Sequence, residues 1–238
     1  GGGFRVSPAG GDGQDAAESV GNGDEVRKRN GGQLLVDSLV ALGATRGFGV
    51  PGESYLAVLD ALHDVQGTLD FVLCRNEGGA AFMASAWGKL TGKPGLCFVT
   101  RGPGVTNASI GIHTAMQDSA PMIVFVGQVG TDMIGREAFQ EIDYRAVFGT
   151  MAKWAVQIDA LDRMPEILGR AWVTATTGRP GPVVVALPED MLTSLTDADN
   201  QLQISGDSFD TLNISGASAT GQTKNLAAAV PCQRISTA

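Results

Sequence analysis

The chain has 238 residues, enough for one large domain, and a net charge of −8 from 17 basic and 25 acidic side chains. Hydrophobic residues make up 43% and charged residues 18%, which suits a folded α/β protein and excludes a disordered or fibrous one. The acidic balance lacks the basic excess of a nucleic-acid binder. No apolar run reaches the roughly 20 residues that cross a bilayer, so no membrane partner is expected.

Glycine is frequent, at 33 residues, about twice the usual share. Residues 1–31 are Gly, Asp, Ser and Asn with almost nothing apolar, and read as a flexible leader. The globular block runs over 32–193. From 194 to 238 the chain turns Ser/Thr/Asn/Gly-rich, and this stretch reads as a disordered or aberrant tail. Nothing at the N-terminus resembles a secretory signal, and the three cysteines are too scattered for a disulfide framework. Buried reduced Cys74 and Cys97 and a cytoplasmic location are the expectation.

Within the block the hydrophobic period alternates between helix and strand. Leu34, Leu35, Leu39 and Leu42 predict a helix over 33–42, with Gly43 as its stop. A short strand over 47–50 ends at Pro51-Gly52, and a helix over 55–62 follows. A buried strand is expected over 69–74, a helix of small residues over 80–90, a strand over 96–100 and a helix over 104–117. A strand over 122–126, a helix over 164–176 and a Val-rich strand over 182–187 complete the pattern. Continuous apolar strands separated by helices imply a doubly wound, mainly parallel sheet of about six strands with helices on both faces.

In such a sheet, function lies in the loops at the carboxyl ends of the strands. Four loops qualify: Val50-Pro51-Gly52-Glu53-Ser54, Arg75-Asn76-Glu77-Gly78-Gly79, Arg101-Gly102-Pro103-Gly104 and Gly127-Gln128-Val129. Glu77 stands out because an apolar strand precedes it and small residues follow. Partial desolvation there should raise its pKa. The competing reading is a carboxylate that offsets a helix dipole. His63 and His113 have no partners at metal-ligand spacing, so no metal site is expected in the chain. A Gly-x-Ser-x-Gly elbow after a strand is absent, which disfavours a serine hydrolase.

In this order the loops resemble the N-terminal pyrimidine-binding domain of thiamine diphosphate-dependent enzymes, nearest to the acetolactate synthase-like group. The resemblance covers about 31–193. It rests on Gly49-Val50-Pro51-Gly52, Arg75-Asn76-Glu77 with Gly79-Ala80-Ala81, and Gly102-Pro103-Gly104-Val105-Thr106-Asn107. Further along the chain it rests on Asp118-Ser119-Ala120-Pro121, Gly127-Gln128-Val129, Phe139-Gln140-Glu141 and Gly178-Arg179-Pro180-Gly181-Pro182-Val183.

The resemblance implies that Glu77 hydrogen-bonds N1′ of the aminopyrimidine and relays a proton, while the cofactor carries the carbon chemistry on a 2-oxo acid. It implies that Pro51, Gly52 and Asn107 line the pyrimidine pocket and that Phe139 and Gln140 face the substrate channel of the partnered site. Arg179 matches the position that contacts a structural FAD in acetolactate synthases; the residues are compatible with FAD without requiring it. Magnesium would be held by a diphosphate-binding domain, whose Gly-Asp-Gly turn and later asparagine are not found here. Gly11-Asp12-Gly13 follows no apolar strand.

Several residues depart from the family pattern. Asn76 and Gly78 flank the glutamate where His and Gln are common, and Glu53-Ser54 replaces Gly-Ala. Glu189 replaces the lysine of acetolactate synthases, a charge reversal beside the substrate path that argues against pyruvate–pyruvate condensation. The expectation is the pyrimidine-binding half of a decarboxylating or carboligating lyase or transferase, inactive alone. It would be a truncated product whose full-length form is a homo-oligomer, with branched-chain amino acid biosynthesis as one setting. Two alternatives are a separate α-subunit of a two-chain 2-oxo-acid decarboxylase and a non-catalytic partner of a complete enzyme.

Overall fold

The computed structural model describes residues 28–198 together with the strand segments 202–204 and 212–214. Most of the proposed leader, Gly11-Asp12-Gly13, Cys232 and the rest of the proposed tail lie outside the described residues.

A two-residue strand, β1 (Arg29–Asn30), leads into α1 (Gly31–Ala41), which Asn30 and Gln33 close with a reciprocal capping box. Then come β2 (Arg46–Gly49), a 3-10 turn (Glu53–Tyr55), α2 (Leu56–Asp64), β3 (Asp70–Leu73), α3 (Glu77–Thr91), β4 (Gly95–Val99) and α4 (Gly102–Gln117). After β5 (Met122–Gln128) follow α5 (Tyr144–Phe148), β6 (Trp154–Gln157), α6 (Met164–Thr176), β7 (Pro182–Pro188) and α7 (Glu189–Thr193). Next is β8 (Leu195–Thr196), and β9 (Leu202–Ile204) pairs antiparallel with β10 (Leu212–Ile214).

Strands β2 to β7 form one six-stranded sheet in the order β3-β2-β4-β5-β7-β6, and every pairing in it is parallel. Alternate residues feed two cores, as the period of two requires. Leu96, Phe98, Ile123, Phe125, Val183 and Val185 pack under α1, α2 and α6. Cys97, Val99, Val124, Val126 and Val184 pack under α3, α4 and α5. Strands buried on both faces read as continuous apolar runs, which is why β4, β5 and β7 were visible in the sequence.

Several boundaries and several elements differ from expectation. Strand β3 is an edge strand rather than a buried one, and Leu73 at its end is 66% exposed. Strand β6, at the opposite edge, and the short α5 and α7 carry too few apolar residues for a periodicity to show. Helix α3 begins at Glu77, not at residue 80, because Asn76 accepts a hydrogen bond from the Gly79 amide at 3.1 Å and caps it. Outside 32–193, β1 pairs antiparallel with β8, Arg29 opposite Thr196 and Asn30 opposite Leu195.

Cys74 and Cys97 are buried free thiols. No helix among the described residues is long and apolar enough to cross a membrane.

Candidate functional site

The chain order reverses direction in the sheet between β2 and β4, which are neighbours although β3 intervenes in sequence. A crevice outside the carboxyl ends of the strands opens at such a point. The loop after β2 carries Pro51 and Gly52, the loop after β3 carries Glu77, and the loop after β4 begins α4. The Cys74 amide donates to the Gly49 carbonyl at 2.8 Å, which sets the first two loops side by side.

Close approach explains the glycines here. A Cβ on Gly52 would lie 2.7 Å from Thr100 Cβ, so this backbone can rest on the β4 loop only without a side chain. A Cβ on Gly78 would lie 3.0 Å from Asn76 Oδ1 and 3.2 Å from the Asn107 carbonyl, in the seam between α3 and α4.

Glu77 is the first residue of α3 and is half-buried. Its Oε2 accepts a hydrogen bond from Asn107 Nδ2 at 3.1 Å, and its other oxygen has no partner among the described residues. No basic side chain pairs with it among the described residues. At this position the carboxylate offsets the α3 dipole, and one of its oxygens keeps its lone pairs free of protein donors among the described residues.

Two buried groups lie within electrostatic reach of that carboxylate. Burial pushes the Tyr55 phenol far above its ordinary range, with the Cys97 thiol and then Glu77 adding to the rise. Burial, then Cys74, then Glu77 raise the Cys97 thiol in the same direction. Both groups therefore stay protonated and uncharged at neutral pH. The Tyr55 hydroxyl instead donates to the Val50 carbonyl and fixes the loop that ends in Pro51 and Gly52.

The other expected residues separate into two places. Gln140 lies close to the crevice: its carbonyl accepts from the Gly102 amide at 3.0 Å, and its backbone is left-handed at φ 65°. Phe139 beside it projects outward, 70% exposed. Arg179 is elsewhere. It donates to Ser119 Oγ at 2.9 Å and to the Met116 and Gln117 carbonyls at 3.0 Å, capping the far end of α4. Helix α4 has 16 residues, so that end lies about 24 Å from its start.

The departures noted in the sequence have local partners. Asn76 is the cap of α3 and Gly78 fits the α3–α4 seam. Ser54 is fully buried with its hydroxyl 3.0 Å from Thr100 Oγ1. Glu53 and Glu189 both pair with Arg101, at 3.4 and 2.9 Å. Arg101 stands in one of the four loops singled out in the sequence, but its side chain was assigned no role there. Its only signal was a charged residue after an apolar strand, a position usually solvated, whereas here it is 7% exposed.

Among the described residues no group of three or more His, Cys, Asp or Glu side chains is placed to hold a metal ion. The residues present do suit an aminopyrimidine: a carboxylate with a free acceptor oxygen, beside backbone that carries no side chain at Gly52.

Comparison with known proteins agrees. The family described as thiamine pyrophosphate enzyme, N-terminal TPP binding domain, matches residues 29–147. The chain is 44% identical over 163 residues to the acetolactate synthase isozyme 3 large subunit of Escherichia coli, an alignment that covers 68% of this chain and 28% of that protein. It is 43% identical over 164 residues to the acetolactate synthase large subunit of Lactococcus lactis, covering 69% and 28%. With the mitochondrial acetolactate synthase catalytic subunit of Aspergillus candidus it shares 41% over 163 residues, covering 68% and 23%. The chain thus spans about a quarter of the length of these relatives. The crevice geometry and the matched span lead to one assignment: this chain belongs to the thiamine pyrophosphate enzymes, as an N-terminal TPP-binding domain of acetolactate synthase-like type.

Proposed function

We propose that this chain forms the pyrimidine-binding half of a thiamine diphosphate-dependent lyase or transferase acting on 2-oxo acids, and that it is inactive by itself. When bound, the cofactor supplies the electron sink that lets a 2-oxo acid lose carbon dioxide. The free carboxylate oxygen of Glu77, with Asn107 holding the other at 3.1 Å, is the observation that carries this reading.

The chain's own residues have three tasks in it. Glu77 holds a proton at its free oxygen and exchanges it with a ring nitrogen of the pyrimidine. Asn107, donating to Oε2, orients the carboxyl group so that the other oxygen faces the guest. Pro51 and Gly52 offer a flat wall for the ring, kept in place by the Tyr55 hydroxyl on Val50 and by the contact with Thr100. Gln140 and Phe139, on the loop hydrogen-bonded to Gly102, face the substrate channel of the partnered site. In this reading magnesium and the diphosphate are held by a second domain, and the complete enzyme is an oligomer.

A separate α-subunit is the second reading. The β1–β8 ladder favours it, since it closes the domain on itself and suits an independently folding chain.

Calorimetric titration of thiamine diphosphate with magnesium, with and without a supplied diphosphate-binding domain, is the test. Negligible binding by the chain alone and tight binding in the reconstituted pair are expected. Tight binding by the lone chain would refute the half-site reading.

A further inference from the structure

Two of the acidic departures in the sequence, Glu53 and Glu189, lie far apart in the chain and face one guanidinium. Arg101 follows β4 and opens α4, Glu53 follows β2, and Glu189 follows β7. Arg101 is 7% exposed, and its Nε is buried with no hydrogen-bond partner among the described residues. Its positive charge is met by the two carboxylates, whose side chains are 71% and 51% exposed. A buried cation held by two surface anions reaching inward differs from an ordinary solvated ion pair, because its removal from water is compensated only while both loops stay in place. The neighbouring loop is drawn in as well: Asp190 accepts from the Thr131 amide at 3.0 Å and from its hydroxyl.

We infer that Arg101 is a positioning residue, clamped by Glu53 and Glu189 so that the loops after β2, β4 and β7 move as one unit beneath the pyrimidine pocket. The loop after β2 carries Gly52, and the helix that Arg101 opens carries Asn107, the donor to Glu77. The clamp therefore acts on the cofactor site through these residues and touches no ligand itself. It also accounts for Glu189: its carboxylate answers Arg101, so the two residues form one charge-matched pair. The consequence for cofactor affinity rests on the function proposed above, whereas the mechanical coupling of the loops does not.

The test uses the 238-residue chain. Removing one charge alone strands the other, so the informative variant is Arg101→Met/Glu189→Gln, which removes the buried cation together with its nearer partner and leaves only exposed Glu53. Three amides report on the three loops: Tyr55 donates to Gly52, Val105 to Arg101 and Ser194 to Asp190. In the double variant all three should exchange with deuterium on the order of tenfold faster, the size of one lost charge-assisted hydrogen bond, while amides within β4, β5 and β7 keep their protection. Arg101→Lys, with Glu189 retained, should restore most of that protection. Faster exchange at Val105 alone, or no rescue by lysine, would overturn the clamp.

In a reconstituted enzyme the double variant should also bind thiamine diphosphate about tenfold more weakly, with lysine again rescuing. Unchanged affinity in a parent that does bind would overturn the link to the cofactor. If the parent binds no cofactor, the proposed function fails and the exchange result still decides the clamp.

Discussion

Glu77 and Asn107 meet across the α3–α4 seam, carboxylate oxygen to amide nitrogen, at 3.1 Å. The contact joins the first residue of one helix to the second turn of the next, so the acid is aimed by a helix and not by a mobile loop. Glu77→Gln can keep this hydrogen bond through its amide oxygen but cannot carry a proton. We expect a melting temperature within about 2 °C of the parent and a fall in turnover of the reconstituted enzyme by about 10²–10⁴. Turnover and thermal unfolding measured on the same variant check it.

Asn76 supplies the N-cap that lets α3 begin at Glu77. Asn76→Ala should cost about 1 kcal/mol of stability in urea unfolding. The first turn of α3 would fray as well, so cofactor affinity should fall in the reconstituted enzyme even where the chain remains folded. Asn76→Asp or Asn76→Ser should retain the cap.

Gly52→Ala places a methyl group 2.7 Å from Thr100 Cβ and 2.9 Å from its Oγ1. Thr100 cannot give way easily, because its hydroxyl is engaged by the fully buried Ser54. A destabilisation of about 1–3 kcal/mol is expected from overpacking, together with weaker cofactor binding. Gly79→Ala is the control, since a Cβ there meets open space and alanine favours the helix.

Glu141 accepts from the Gly135 amide at 2.6 Å and the Ala138 amide at 3.1 Å, and these backbone donors lower its pKa. A carboxylate with a depressed folded-state pKa contributes above its unfolded value, and that contribution disappears as pH falls through the folded value. The Gly135 amide resonance should therefore titrate with a midpoint below the ordinary glutamate range and stay flat at neutral pH. In Glu141→Gln the transition should be absent. Two-dimensional NMR across that range is the measurement.

The amino-acid sequence alone was sufficient for the α/β class and the parallel sheet, and it singled out Glu77 as a candidate. Strands β4, β5 and β7 are covered on both faces and so read as nearly continuous apolar runs, and glycines mark the turns after β2 and β4. Tertiary structure decided the rest. The edge strands β3 and β6 and the short α5 and α7 have weak local signals, because one side of an edge strand faces solvent and a single helical turn has no period to read. The roles of Glu53, Arg101 and Glu189 were illegible for a different reason. Their pairings span 48 and 88 residues, and whether a charged side chain is solvated or buried against a partner depends on loops brought together only when the sheet is assembled.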